Sequence, residues 1–363
     1  MVDLSVEITG LKLASPVLPA AGPPGWNGAA MAACARGGAA AIVSKTISVC
    51  PAKVPTPNMA ALRYGFLNTE LWSELPVEQF VEHELPQAKG AGVPLIVSLG
   101  YTADDIARLA PLVAPFADAL ELSTHYIGDD AAPLQEAVQA AKAAAGLPVW
   151  VKLSPFRDMR AAATAAAAAG ADAIVAVNSF GPCLGVDAES AQLLMGSRDG
   201  YGWLSGPALK PLALRCVFDI VRTVDLPVIG VGGISSGVDA IEFLMVGATA
   251  VGVCTAAILA GPTVFGRLVR EIGEWLDLHG YVSLDEVRGL AIRNWQARPF
   301  RTRHVPPHVD WGACTGCGQC EKSCVYDAVH VTDKKAAVQI EKCYGCGLCV
   351  TRCPVRALSL PWL

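Results

Sequence analysis

Eight times along the chain, a short apolar run rich in Val and Ile is followed by a longer alanine-rich stretch of helical character. The runs cover residues 16–21, 40–44, 94–98, 117–122, 148–153, 171–177, 227–231 and 248–254. Each has the length of a strand buried on both faces. The helices are expected at 28–36, 77–89, 103–112, 132–144, 159–169, 209–224, 237–246 and 263–276, where alanine supplies helix propensity. Strands that alternate with helices must pair in parallel. Eight such units within 296 residues fit a closed (β/α)8 TIM barrel better than an open doubly wound sheet. Two connections, 45–75 and 178–207, are long, and both fall at the C-terminal face where barrels of this kind build their sites.

Beyond the barrel region the sequence changes character. Residues 297–309 (ARPFRTRHVPPHV) are basic and carry prolines, and they read as a solvated linker. Residues 310–363 then carry Cys314, Cys317, Cys320 and Cys324, followed by Cys343, Cys346, Cys349 and Cys353 with Pro354 behind. The pattern Cys-x-x-Cys-x-x-Cys-x-x-x-Cys, written twice, resembles that of a bacterial two-cluster ferredoxin, a small α+β domain. Three closely spaced thiolates occupy three corners of an iron–sulfur cube, and the fourth ligand comes from the other run. The resemblance therefore groups Cys314, Cys317, Cys320 and Cys353 on one 4Fe-4S cluster, and Cys343, Cys346, Cys349 and Cys324 on a second. Paired zinc sites are the alternative, but four-ligand zinc leaves the third cysteine of each run unexplained. Val325 stands where the first run would usually have proline, a change that leaves ligation untouched.

Composition narrows the setting. A net charge of -5, with no basic cluster on an aromatic stretch, argues against nucleic acid as a partner. The longest apolar stretch, 161–176, is alanine-rich and broken by Thr164, Gly170 and Asp172, so neither a membrane span nor export is expected. Clusters need reduced thiolates, which points to the cytoplasm.

Glycines mark a phosphate site. Gly230-Val231-Gly232-Gly233-Ile234 follows the seventh strand and Gly252-Val253-Cys254-Thr255 closes the eighth. At these two strand ends, bare backbone N–H groups and the start of a short helix after Thr255 can approach a phosphate. A phosphorylated cofactor beside iron–sulfur clusters must accept electrons in pairs and release them singly. FMN does so, and nicotinamide does not.

Several motifs, in order, carry a family resemblance over essentially the whole chain. They are Ser15-Pro16 with Ala20-Ala21-Gly22, Ser44-Lys45-Thr46, Gly65-Phe66-Leu67-Asn68, Val151-Lys152-Leu153, Val177-Asn178-Ser179, Ser205-Gly206 with Lys210-Pro211, Gly230 to Ile234, and Val253-Cys254-Thr255-Ala256. The barrel resembles the dihydroorotate dehydrogenase family, and with its cysteine-rich C-terminus it is most similar to the FMN and iron–sulfur part of dihydropyrimidine dehydrogenase. The resemblance implies that Lys45 and Lys152 lie against the flavin, with Lys152 near N1 and O2, where a fixed cation stabilises reduced flavin. It further implies that Gly206, Gly232, Gly233, Cys254 and Thr255 hold the FMN phosphate. Ala20, Ala21 and Ser123 would complete the cofactor's surroundings, and Asn68, Asn178 and Ser179 would face the substrate.

One segment departs from the family. Its Asn-x-Ser followed by a catalytic Cys or Ser becomes Ser123-Thr124-His125-Tyr126, with Tyr126 at the cysteine's position. Tyr126 is then the first candidate for the proton-transferring group and His125 the second, with ordinary loop residues that cap the strand as the alternative. Asp129 and Asp130 read as caps of the next helix, and Cys183 as packing with a catalytic acid as the alternative. The loop is short, so the substrate is expected to be something other than uracil, thymine or dihydroorotate. The expected function is FMN- and iron–sulfur-dependent reduction or formation of a C=C bond by hydride exchange at flavin N5, on a small-molecule substrate. Ferredoxin or a nicotinamide-oxidising flavoprotein would be the electron partner, within a homo-oligomer or a hetero-oligomeric complex. An electron-transfer subunit without substrate chemistry, or a dihydropyrimidine dehydrogenase with an altered acid, is the alternative.

Overall fold

The computed structural model describes residues 2–100, 102–123, 130–155 and 158–361. They form two compact units, 1–293 and 294–363. In the first, eight parallel strands follow one another round a ring: β1 (Val17–Pro19), β2 (Ile42–Val43), β3 (Leu95–Leu99), β4 (Ala119–Ser123), β5 (Val149–Leu153), β6 (Ala173–Ala176), β7 (Val228–Val231) and β8 (Ala250–Val253). Seven neighbouring pairs form ladders, and the eighth seam is bridged where Ala40 N–H donates to Val17 O at 2.9 Å. All eight expected strands are present; six are trimmed at their ends, where the chain turns into the connections, while β3 and β4 start one or two residues later and run one residue further, to Leu99 and Ser123.

The surrounding helices follow their sequence signals. Gly28–Arg36 starts on Asn27, whose side chain accepts from Ala30 N–H, and Gly237–Met245 starts on a Ser236/Asp239 capping box. The helix expected at 77–89 contains a π-helical turn over Phe80–Glu84, just before Pro86, which lacks the N–H that an α-helix needs there. Trp150, Phe243 and Phe265 are among the largest fully buried side chains of the core.

Two features go beyond the expected elements. A hairpin of Val6–Ile8 and Leu11–Leu13 packs Ile8 and Leu13 into the core, and its Thr9 Oγ1 accepts from Trp150 Nε1 at 3.0 Å. More consequentially, the two long connections pair with each other. Met59–Ala61, Phe66–Asn68, Tyr201–Ser205 and Phe180–Leu184 make one antiparallel sheet, with Leu204 opposite Leu67 and Trp203 opposite Asn68. Among the described residues no helix is long and apolar enough to cross a membrane.

The second unit contains the helices Gln319–Ser323 and Leu348–Thr351 and the antiparallel pairs Val329–Thr332 with Lys335–Val338 and His308–Val309 with Leu358–Ser359. Its small core includes Cys320, Cys349, Val329, Ala336 and Leu358.

Candidate active site

Strand alternation decides which side chains reach the barrel interior. Along β5, Trp150 reaches the N-terminal hairpin, and Lys152, two residues on, sits at the opposite end of the strand. Lys152 is opposite Ser123 in the β4–β5 register, and Glu121 on β4 comes within 3.7 Å of the Lys152 ammonium. Both side chains are almost wholly enclosed, at 4% and 2% exposure. Lys152 Nζ also donates to Ala21 O at 3.3 Å. Burial pushes the Glu121 carboxyl above its ordinary range, and Lys152 and Ser98 pull it back.

Above this pair, the C-terminal ends of the strands and the antiparallel sheet enclose a cavity of about 500 Å³. Its volume lies within the range of small-molecule sites, roughly 300–1,000 Å³. Every residue expected at the cofactor lines it: Ala20, Ala21, Lys45, Asn68, Ser123, Lys152, Asn178, Ser179, Gly206, Gly232, Gly233, Cys254 and Thr255. His125 and Tyr126, expected as proton donors, lie outside the described residues, as does Asp129. Asp130 accepts from Ala132 N–H at 2.9 Å, at the start of Ala132–Ala145. Cys183 is on the strand Phe180–Leu184 and does not line the cavity.

One end of the cavity is glycine-built. Gly206, Gly232 and Gly233 have φ of 73°, 135° and 77°, which side chains rarely adopt. A Cβ on Gly233 would stand 2.7 Å from Gly206 O, and one on Gly232 2.6 Å from Ala213 Cβ. Beside them Ser205 Oγ and Thr255 Oγ1 are 2.8 Å apart. Burial raises the Cys254 thiol to about 11, so it stays protonated at neutral pH.

The cavity wall also carries side chains from the two long connections. Lys45 Nζ contacts Glu70 Oε2 at 2.7 Å and the two Glu74 oxygens at 2.9 and 2.8 Å. Asn68 Nδ2 donates to Trp203 O at 3.1 Å, and Trp72 and Trp203 both line the space. Glu121 had a usable signal, as a carboxylate inside an apolar strand one strand before a buried lysine. Glu70 and the two tryptophans lie in the two long connections, where no periodic pattern marks them.

The cysteines of the second unit gather in two small cavities. One is lined by Cys314, Cys317, Cys320 and Cys353, the other by Cys324, Cys343, Cys346 and Cys349. The two are built alike: Gly316 and Gly318 (φ 69° and 72°) correspond to Gly345 and Gly347 (φ 65° and 82°). Ala328 N–H donates to Cys324 Sγ at 3.3 Å, and Ala357 N–H to Cys353 Sγ at 3.1 Å.

The family model for dihydroorotate dehydrogenase matches residues 3–276. The chain belongs to the dihydroorotate dehydrogenase family. A second model, for a 4Fe-4S dicluster domain, matches residues 307–360. Among curated relatives, a protein of Methanothermobacter thermautotrophicus is 36% identical over 301 residues, covering 79% of this chain and 98% of its own length. One from Methanocella arvoryzae is 38% identical, over 78% of this chain and 96% of the relative. Another from Methanosarcina mazei is 39% identical, over 79% and 95%. All three are named dihydroorotate dehydrogenase B (NAD(+)), catalytic subunit. Because these dihydroorotate dehydrogenase relatives are covered almost completely, the unmatched fifth of this chain has no counterpart in them.

Proposed function

We propose that the protein is an FMN- and iron–sulfur-dependent oxidoreductase acting on CH–CH groups. It would reduce or form a C=C bond that is conjugated to a carbonyl or set in a ring. The observation that carries this reading is the convergence, in one cavity, of a glycine-built end and two buried lysines. The donor set fits FMN: the open backbone at Gly206, Gly232 and Gly233, with the Ser205 and Thr255 hydroxyls, suits a phosphate. Bound there, FMN would supply hydride exchange at N5 and one-electron release.

Lys152 would hold positive charge beside the ring system, with Glu121 keeping its ammonium in place. Asn68, Asn178 and Ser179 would orient the substrate, and the sheet carrying Trp203 would exclude water. Tyr126, or His125 beside it, would hold the transferable proton. Two 4Fe-4S clusters on the cysteine sets Cys314/Cys317/Cys320/Cys353 and Cys343/Cys346/Cys349/Cys324 would carry electrons singly. The relatives' naming as NAD(+) catalytic subunits supports a separate nicotinamide-oxidising flavoprotein as the partner, with ferredoxin as the alternative. Reduced cluster thiolates support a cytoplasmic setting.

A second reading, an electron-transfer subunit without substrate chemistry, is favoured by the altered Ser123-to-Tyr126 segment. The presence of Asn68, Asn178 and Ser179 in the cavity favours chemistry. Dithionite titration of anaerobically purified protein, followed by addition of enones and pyrimidines, separates them. Bound flavin that a small molecule reoxidises supports the enzyme. Reoxidation by one-electron acceptors alone supports the relay, and turnover of uracil or dihydrouracil would return the substrate to the pyrimidines.

A further inference from the structure

Resting on the reading of two 4Fe-4S clusters, we propose that the two are unequal. The cluster on Cys314, Cys317, Cys320 and Cys353 has the higher reduction potential, and Ala336 N–H and the Lys335 ammonium set the difference. A single electron in this unit rests on that cluster, and the twin on Cys343, Cys346, Cys349 and Cys324 holds the more reducing one.

The second unit is an internal repeat. Residues 305–332 recur as residues 334–361, so that Cys314 is matched by Cys343 and Gly316 by Gly345, 29 residues on. Folding exchanges the leading segments of the two copies. A Cβ on Gly316 would meet the Lys334 carbonyl, and one on Gly345 the Val305 carbonyl. Val338 lies opposite Val329, and Val309 opposite Leu358. The exchange puts Ala336 on the cavity of Cys314 and its counterpart Pro307 on the cavity of Cys343, and both residues are buried.

There the likeness ends. Ala336 N–H donates to Cys314 Sγ at 3.4 Å, whereas Pro307 has no N–H to offer Cys343. The other donors are matched: Ala328 N–H reaches Cys324 Sγ as Ala357 N–H reaches Cys353 Sγ, and Gly345 N–H reaches Cys343 Sγ as Gly316 N–H reaches Cys314 Sγ. Charge breaks the symmetry in the same direction. Lys335 Nζ donates to Cys314 O at 2.7 Å and to Trp311 O, which fixes its cation beside the first set, and Pro306 stands at its counterpart. Arg352, just before Cys353, donates to Gln319 at 3.0 Å, and its counterpart is Ser323. Of the acids on this side, Asp310 accepts from Gly312 and Ala313 N–H, and Glu321 and Asp333 are each followed by a lysine. Beside the second set, Lys342 is paired with Asp327 at 3.1 Å.

A cluster takes up one electron without moving an atom, and its negative charge grows by one. N–H dipoles aimed at sulfur and a fixed cation favour that more negative state and raise the potential. Reduced flavin would supply the electrons in turnover, and dithionite supplies them in the test.

Full-length protein, purified anaerobically, is titrated with dithionite and redox mediators while the paramagnetic signals of the reduced clusters are integrated at low temperature. At a common potential, the reduced-to-oxidised ratio of the upper cluster is expected to exceed that of the lower by at least about tenfold, or about 59 mV for a one-electron couple. Lys335→Gln keeps a donor and removes the charge; it is expected to lower the upper ratio by at least about threefold and leave the lower in place, whereas Lys335→Arg retains both. Pro307→Ala supplies the missing N–H and is expected to raise the lower ratio by at least about threefold. This variant keeps the proposal falsifiable should Lys335→Gln fail to assemble its clusters. Equal potentials in the unaltered protein would overturn the proposal, as would a Lys335→Gln shift confined to the lower potential or a Pro307→Ala protein with both potentials unchanged. Fewer than two clusters per chain, by iron and spin count, would overturn the two-cluster reading itself and the proposal with it.

Discussion

Replacing Lys152 with methionine removes a charge from the barrel interior while keeping a long side chain there. The ammonium is 3.7 Å from Glu121 Oε1, with the two side chains 4% and 2% exposed. With an effective dielectric constant of about 20, attraction at that separation is about 4 kcal/mol. Breaking a buried pair by removing one partner commonly costs about 3–5 kcal/mol. Glu121 can avoid part of that penalty by taking up a proton. Burial already raises its carboxyl above the ordinary 4.5, against the pull of Lys152 and Ser98, and without Lys152 it rises further. A carboxyl raised in the folded state contributes stability that is fully present below the unfolded value and is lost as pH rises through the folded one.

At low pH, therefore, both proteins hold the Glu121 proton and the variant is nearly as stable as the parent. Above the parent's folded value, only the parent ionises into an ion pair. The variant's deficit then grows by up to about 1.4 kcal/mol per pH unit. It levels off at about 4 kcal/mol once Glu121 ionises in the variant as well. Urea unfolding followed by circular dichroism, at intervals between about pH 5 and about pH 8, measures this directly. Glu121→Gln combined with Lys152→Met should flatten the pH dependence. A deficit that does not change with pH, or that persists undiminished in the double variant, would refute the coupling of these two residues.

Two further outcomes are expected. Cys353→Ser should lower iron from about eight to about four per chain and abolish the same paramagnetic signal as Cys317→Ser, while Cys324→Ser should act like Cys346→Ser. If Cys353 instead groups with Cys349, the crossed ligand assignment fails. Gly233→Val places a side chain where φ is 77° and where a Cβ would stand 2.7 Å from Gly206 O. Flavin per chain should fall at least about tenfold with helical content preserved, and full retention of flavin would show that the phosphate binds elsewhere.

The sequence by itself determined the periodic and the covalently patterned parts. Parallel barrel strands are buried on both faces, so each leaves an apolar run that is visible without partners, and the alternating helices force parallel pairing, with eight units favouring a closed ring. Cysteine spacing carries its own geometry, and glycines at strand ends mark positions that must stay bare. Lys152 was legible because a lysine within an apolar strand has no solvent to reach.

Only the tertiary structure decided what lies over the barrel mouth. Phe66–Asn68 pairs with Tyr201–Ser205 across more than a hundred residues of chain, for example Leu67 with Leu204. Their partners are nonlocal, and no period within either loop announces them. Glu70 and Glu74 meet Lys45 for the same reason: the charge of a site is a sum over side chains brought together by folding. The sequence supplies each charge, and only their positions in space show which of them meet.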